Sequence, residues 1–439
     1  LISGENHHID ETIIDGDSAD SVIELHDYED STTAICGFTI QNGFDSDAGG
    51  IRIYYSSPKI VSNIIKRNFG VGVFCYEAPA AIINNTILEN TNCGIYSGNY
   101  SDGIIKGNII RGNSANYGAG IFCAYSSPKI INNVIENNSS RFDGGAVVLS
   151  AFYADFCHNI INSNHAKYGG ALACEWGTDG IISNNIITNN RADSTGGAIF
   201  CNQDGSPTFE NNIIISNWAL SHGAIYCIWN SHPVILNSII WDNSNTFGPT
   251  IGFNTLSSAI INFSDIQDTL WPGMGNISVI PQLRDTTNSD YRLMALACGD
   301  SVDSPCIDAG HPDSLDGEMG CHAGLGTGRA DMGAYGGGGN ITGIEDEGEV
   351  IPSMPMLLSS YPNPFNAQTT IRFSLPQAGP VEIDIYDILG RRIGTLYFGE
   401  LLAGEHGVVW DAGENPSGIY FYRLKAKEGA ISGKMTLVK

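Results

Sequence analysis

Positive charge is what this chain has least of. Its 439 residues include 21 Lys and Arg against 47 Asp and Glu, a formal net charge of −26. Residues 1–50 carry twelve acids and no Lys or Arg, and Asp285–Glu349 carries thirteen acids against two Arg. Such a field disfavours nucleic acid and acidic lipid headgroups, and it favours solubility and divalent cations. Long apolar runs are absent: no stretch approaches the ~18 residues that read as a transmembrane helix. No segment from Phe38 to Ser264 combines helical apolar spacing with helical length, so an α-helical fold is excluded there. Neither Cys-x-x-Cys nor His-x-x-x-His occurs, so no zinc-site spacing is written into the chain. No signal peptide is visible, and the abrupt start at Leu1-Ile-Ser-Gly reads as the middle of a repeat whose N-terminus is missing.

What is present is a repeat written in asparagine. Asn recurs at 63, 85, 108, 133, 159, 185 and 212, with Ser238 next in line, and a second Asn stands five residues after each. Between them lies an Ile-Ile-like pair, as in Asn108-Ile-Ile-Arg-Gly-Asn113. A second apolar run follows a Gly pair (Gly196-Gly197-Ala198-Ile199-Phe200-Cys201), and a third precedes the first Asn (Ser127-Pro128-Lys129-Ile130-Ile131). Short β-rich runs bounded by Gly, Asn, Ser or Pro read as strands, and a fixed period of 22 to 27 residues reads as a solenoid. Three short strands per coil describe a parallel β-helix, with coils stacked ~4.8 Å apart. The two Asn columns, Asn133, Asn159, Asn185 and Asn212 among them, are expected to be hydrogen-bonded turn ladders.

Cysteine follows the same column logic. Cys75, Cys123, Cys174, Cys201 and Cys227 share a position that Ile53, Ser97, Leu149 and Phe253 fill in other coils, so these thiols are expected to face inward as core. Cys298, Cys306 and Cys321 lie in an irregular segment, where one disulfide is expected without the pair being fixed.

The uneven period resembles the right-handed, pectate-lyase-like parallel β-helix. Gly-Gly-Ala-Ile-Phe-Cys with Asn-Asn-Ile-Ile is similar to the wording of its bacterial surface members. The resemblance covers roughly residues 1–335 and implies a fold, not a chemistry. Beyond residue 355 alternation becomes antiparallel in type, as in Val381-Glu-Ile-Asp-Ile-Tyr386, and indicates a small β-sandwich. Tyr361-Pro362-Asn363-Pro364-Phe-Asn366, the Ile383–Arg392 block ending through Gly390, Ser417-Gly418-Ile-Tyr420 and Gly433-Lys434-Met435 resemble the type A sorting domain of the type IX secretion system. That resemblance implies export across the outer membrane of a Gram-negative bacterium, followed by removal of the domain and attachment or release.

The expected architecture is all-β: a right-handed parallel β-helix of roughly 9–11 coils over 1–283, an irregular C-terminal cap over 284–335, a Gly-rich and acidic linker over 336–355, and an immunoglobulin-like β-sandwich over 356–439. Site candidates are sparse. Glu175, Asp179, Asp193, Asp204 and Glu210 lie in adjacent coils, where two carboxyls ~5–9.5 Å apart would suit glycoside hydrolysis; nothing in the sequence singles out a pair, and each reads first as a solvated turn acid. Asp308 or Asp331 is the expected partner of Arg329. Asp15, Asp17 and Asp20 offer oxygen ligands to calcium, without the full loop pattern of an EF-hand. Tyr55, Tyr125, Trp176 and Trp229 stand two positions past the Cys column; facing outward they would form an aromatic stripe for sugar rings, with Glu175 and Asp204 beside it. The reading that follows is a secreted surface β-helix acting as a binding or structural module, adhesin-like and directed at glycans. A polysaccharide lyase or glycoside hydrolase is the alternative. Calcium is the one cofactor considered, and the secretion machinery is the partner of residues 356–439.

Overall fold

The computed structural model describes residues 12–337 and 356–439, apart from 154, 268–269, 318, 362–364, 376–377, 388–390, 403, 414 and 428. The chain forms two compact units, Leu1–Asn340 and Ile341–Lys439. In the first, each coil contributes one short strand to each of three parallel sheets. Sheet 1 runs from Ile13–Asp15 to Asp265–Ile266 in 11 strands and holds the Ile-Ile pairs between the asparagines. Sheet 2 (Ile23–Leu25 to Ile251–Phe253) holds the runs after the Gly pairs, and sheet 3 (Ala34–Cys36 to Ile260–Asn262) the runs before the first Asn; each has 10 strands.

Register follows from apolar spacing. The middle residue of each sheet 1 strand points inward, and Ile40, Ile65, Ile87, Ile110, Ile135, Ile161, Ile187, Ile214 and Ile240 are all inaccessible to solvent. The ladder asparagines are buried beside them. Asn133 Oδ1 accepts the backbone N–H and the Nδ2 of Asn108, at 2.9 and 3.0 Å. Its own Nδ2 donates to Asn159 Oδ1, Ile105 O and Ile131 O, so one side chain ties together three coils. The same pattern runs from Asn63 to Asn185 in one column and from Asn68 to Asn217 in the other. Left-handed geometry falls to the residue before each ladder position: Asn84, Asn132, Asn184, Asn211 and Asn237 before the first column, Arg67, Glu89, Asn137 and Asn189 before the second. Ladder and turn are thus separate jobs done by neighbours.

The expectation of three strands per coil fails after residue 113. Six further strands, from Ser114–Ala115 to Ser244–Phe247, make a fourth sheet between sheets 1 and 2. The Asn spacing of 22 and 23 residues from Asn63 to Asn108 rises to 25–27 thereafter, and the added residues form that sheet.

The segment expected as a cap lies along the flank of sheet 1. Tyr291, Leu293, Cys306, Leu325 and Met332 pack with the outward-facing Ile186, Ile213, Ile215 and Ile239. Asn184 Nδ2 donates to Ala334 O and Gly336 O, and Asn211 Nδ2 to Asp331 O. A disulfide joins Cys298 to Cys321. Cys306 is a buried free thiol that donates to Asp265 Oδ2 at 3.4 Å. Arg329 pairs with neither expected acid: it donates to Gly310 O at 2.8 Å. Asp331 instead accepts the backbone N–H groups of Asp308 and Leu325, and Asp308 accepts that of Thr327. Turn amides of the segment reach these acids first.

The second unit is a sandwich of antiparallel sheets. Met356–Tyr361, Gln368–Leu375 and Gly404–Asp411 form one; Arg392–Leu401, Gly379–Asp387, Gly418–Ala426 and Gly429–Leu437, in that order, form the other. Phe373 and Trp410 from the first share a core with Ile383, Tyr420 and Met435 from the second.

Candidate functional site

The corner between sheets 2 and 3 carries the expected aromatics. Tyr54, Tyr76, Gly98, Ala124, Ser150 and Glu175 are successive rung partners, and the next residue in every coil is left-handed: Tyr55, Glu77, Asn99, Tyr125, Ala151 and Trp176, then Gln203 and Trp229. Tyr55, Tyr125, Trp176 and Trp229 are 47, 59, 55 and 56% exposed. They stand three, two and two rungs apart, so about 14, 10 and 10 Å along the axis. Tyr28, Tyr100 and Tyr153, exposed by 78, 78 and 64%, lie one or two positions further round the same corner. The sequence reading missed these three because their offsets from the Cys column vary.

The five candidate acids are not brought together. Asp179 and Asp204 are exposed at the corner, Asp193 pairs with His165 at 3.0 Å on the fourth sheet, and Glu210 ends a sheet 3 strand, where burial raises its pKa. Glu175 points away from the aromatic corner and is 8% exposed. Its partner is a residue not considered from the sequence, Asp143. Burial lifts Asp143 to about 6; burial and the hydrogen-bonded Asp143 carboxyl lift Glu175 to about 8. Glu175 Oε1 has no hydrogen-bond partner, and the charge of Lys167 acts on Asp143. The pair sits where the outward column of sheet 2 carries small side chains, Val148 and Ala173, between Phe122 and Phe200.

That outward column is itself a feature the sequence reading passed over. Phe74, Tyr96, Phe122, Phe200 and Tyr226 stand one residue before the Cys column, a spacing visible in the sequence. Phe74 and Tyr96 stack at 4.8 Å and 7°, and Tyr96 meets Phe122 edge-on at 88°. In front of them lies a cleft of about 500 Å³, whose wall includes Tyr54, Tyr76, Tyr117, Asp47, Asn92 and Asn116.

Asp15, Asp17 and Asp20 are not brought together as a cluster of ligands. Asp15 accepts from Gln41, Asn42 and the Asp17 backbone, and among the described residues no three His, Cys, Asp or Glu side chains converge. Cys174, Cys201 and Cys227 occupy consecutive rungs and are inaccessible; contact with Cys174 and burial hold the Cys201 thiol well above its usual range. Of the sorting motif, Pro362, Asn363, Pro364 and Gly390 lie outside the described residues. Gly418 opens a strand, and Lys434 is the backbone partner of Phe421.

Residues 2–159 match the family model described as right handed beta helix region. Residues 359–438 match the secretion system C-terminal sorting domain. No curated protein and no solved structure gives a significant match. The chain is therefore a right-handed parallel β-helix joined to a sorting domain, a combination that marks a protein for secretion to the cell surface or beyond. Among the described residues no helix is long and apolar enough to cross a membrane.

Proposed function

We propose that the β-helix is a surface-displayed binding module, and that its aromatic corner stacks on the sugar rings of a polysaccharide laid along the helix axis. The observation that carries this reading is where the rings stand. A left-handed bulky residue costs ~1–2 kcal/mol, and Asn99 makes the same corner in its own coil. Tyr55, Tyr125, Trp176 and Trp229 accept that strain while about half of each ring stays in solvent. Amphipathic rings displayed in this way suit contact with pyranose faces. Residues 356–439 engage the type IX machinery of a Gram-negative bacterium, which removes them after export.

The hydrolase alternative has its own observation, the Asp143–Glu175 pair with Lys167 nearby. Its carboxyls are hydrogen-bonded to each other, whereas glycosidases hold theirs ~5–9.5 Å apart, so binding is the preferred account. The test is to mix the full chain with insoluble neutral and acidic polysaccharides, with and without calcium, and to measure protein left in solution and new chain ends. Depletion by at least one polysaccharide, lost in a Trp176→Asn/Trp229→Asn variant, is expected. Unchanged depletion in that variant would overturn the corner assignment; new chain ends that vanish in Glu175→Gln would replace binding with hydrolysis.

A further inference from the structure

We propose that the cleft on the outer face of sheet 2 is a second binding site, separate from the aromatic corner, and that it takes an organic cation bearing an alkylated ammonium group. The cleft lies over the two shortest coils, those that carry Phe74 and Tyr96, where the first-column Asn spacing is 22 and 23 residues. The fourth sheet begins at Ser114–Ala115, so the coils that carry Tyr54, Phe74 and Tyr96 lack it and leave the face of sheet 2 open. Where the fourth sheet is present, the same outward column is closed: Val148, Ala173 and Phe200 are at most 4% exposed, with Tyr168 stacked on Phe200 at 5.3 Å. Tyr117, stacked on Phe142 at 5.2 Å, stands at the boundary.

The lining selects the ligand. Tyr54, Phe74, Tyr76, Tyr96, Tyr117 and Phe122 supply rings, and Asp47 supplies a carboxylate. Ring planes differ widely, Tyr54 lying at 58° to Phe74 and 56° to Tyr76, and Tyr96 at 88° to Phe122. The lining rings therefore do not share one plane, and an aromatic cage for quaternary ammonium is built from rings set at differing angles. No Lys or Arg lines the cleft. Arg52, the rung partner of Phe74, is held by Glu24 and Asp45, each at 2.7 Å. Burial raises the Tyr54 hydroxyl; the charge of Arg52 opposes that shift, and the three acids Asp47, Asp45 and Glu24 act against Arg52. A neutral sugar would need free hydrogen-bonding groups, and several are committed: Asn92 Oδ1 accepts from Cys93 N–H, and Tyr76 hydroxyl oxygen accepts from Asn99. An alkylated ammonium needs ring faces and one carboxylate.

The test is titration of the full chain with choline and with its uncharged carbon isostere, in which a tert-butyl group replaces the trimethylammonium. Saturable choline binding is expected, with the isostere about tenfold weaker, the size of a partly desolvated cation–π contact. Asp47→Asn weakens choline and leaves the isostere unchanged, and Tyr96→Ala weakens both. Trp176→Asn, at the corner, leaves choline binding intact. Equal affinity for choline and isostere would reduce the site to an apolar pocket. No choline binding by a chain with the wild-type circular dichroism would overturn the proposal outright, whatever the corner binds.

Discussion

The two units bury polar groups by opposite means. The β-helix fills its interior turns with neutral amides, each Asn being both acceptor for one coil and donor to the next. Its buried acids have no tight cationic partner: burial lifts Asp143 and Asp265 to about 6, Asp331 to about 7 and Glu175 to about 8. The sandwich does the reverse at Asp384. Burial pushes that carboxyl up, but the Thr395 hydroxyl and Lys425, at 2.7 and 3.0 Å, outweigh it and bring it to about 2. The difference teaches that repetition selects chemistry. An amide can be stacked rung on rung, whereas a column of like charges would repel; a charge pair suits a position that occurs once.

The contrast can be broken most forcefully at a ladder. Asn133→Ala strips the acceptor from two donors of Asn108 and the donor from Ile105 O. At ~1–3 kcal/mol per buried unsatisfied group, the loss is at least about 3 kcal/mol. In thermal unfolding of the full chain the β-helix transition falls and the sandwich transition does not; a common shift would show that the units are not independent. Reduction of Cys298–Cys321, which closes a 23-residue separation, costs about 3 kcal/mol on chain-entropy grounds. Limited proteolysis is then expected to cut first within 284–337.

Acid and base sharpen the contrast. Carboxyls raised by burial hold protons that the unfolded chain has already released, so their contribution to β-helix stability is complete below about pH 4 and is lost as pH rises toward 8. Asp384 has the opposite sign: its contribution is complete above 3.8 and is lost as pH falls toward 2. Melting the full chain at pH 5 and 8 should lower only the first transition, and Glu175→Gln should flatten that slope. The smallest effect is at the corner. Trp176→Asn relieves left-handed strain and raises the first transition by up to ~1 kcal/mol while polysaccharide depletion falls. A destabilised variant would mean that the Trp176 ring packs as structure.

Most of the β-helix was legible because its period is printed in Asn, Gly and Ile. The central residue of every sheet 1 strand could be placed from Ile65 to Ile240 by counting alone. The flanking segment was not, although Ile213-Ile214-Ile215 carried the signal: three successive apolar residues on a strand leave none for solvent, so the outer face must be covered. The fourth sheet was hidden in the change of period from 22 to 27, which fixes how many residues a corner holds but not what they do. Asp143 and Glu175 were invisible as a pair because no repeat relates them; they meet through side-chain reach across a small-residue gap. The corner aromatics were found in part, since a column shared by four coils repeats and single offsets do not.

The asparagine ladder also has a consequence for ancestry. Each rung presents one oxygen backward and one amide forward, and every rung presents the same face. Excising residues 159–184 would bring Asn133 against Asn185 with donor and acceptor already matched. A chain built this way can lengthen or shorten by duplication and loss of whole coils without inventing a new contact, so its length is a copy number.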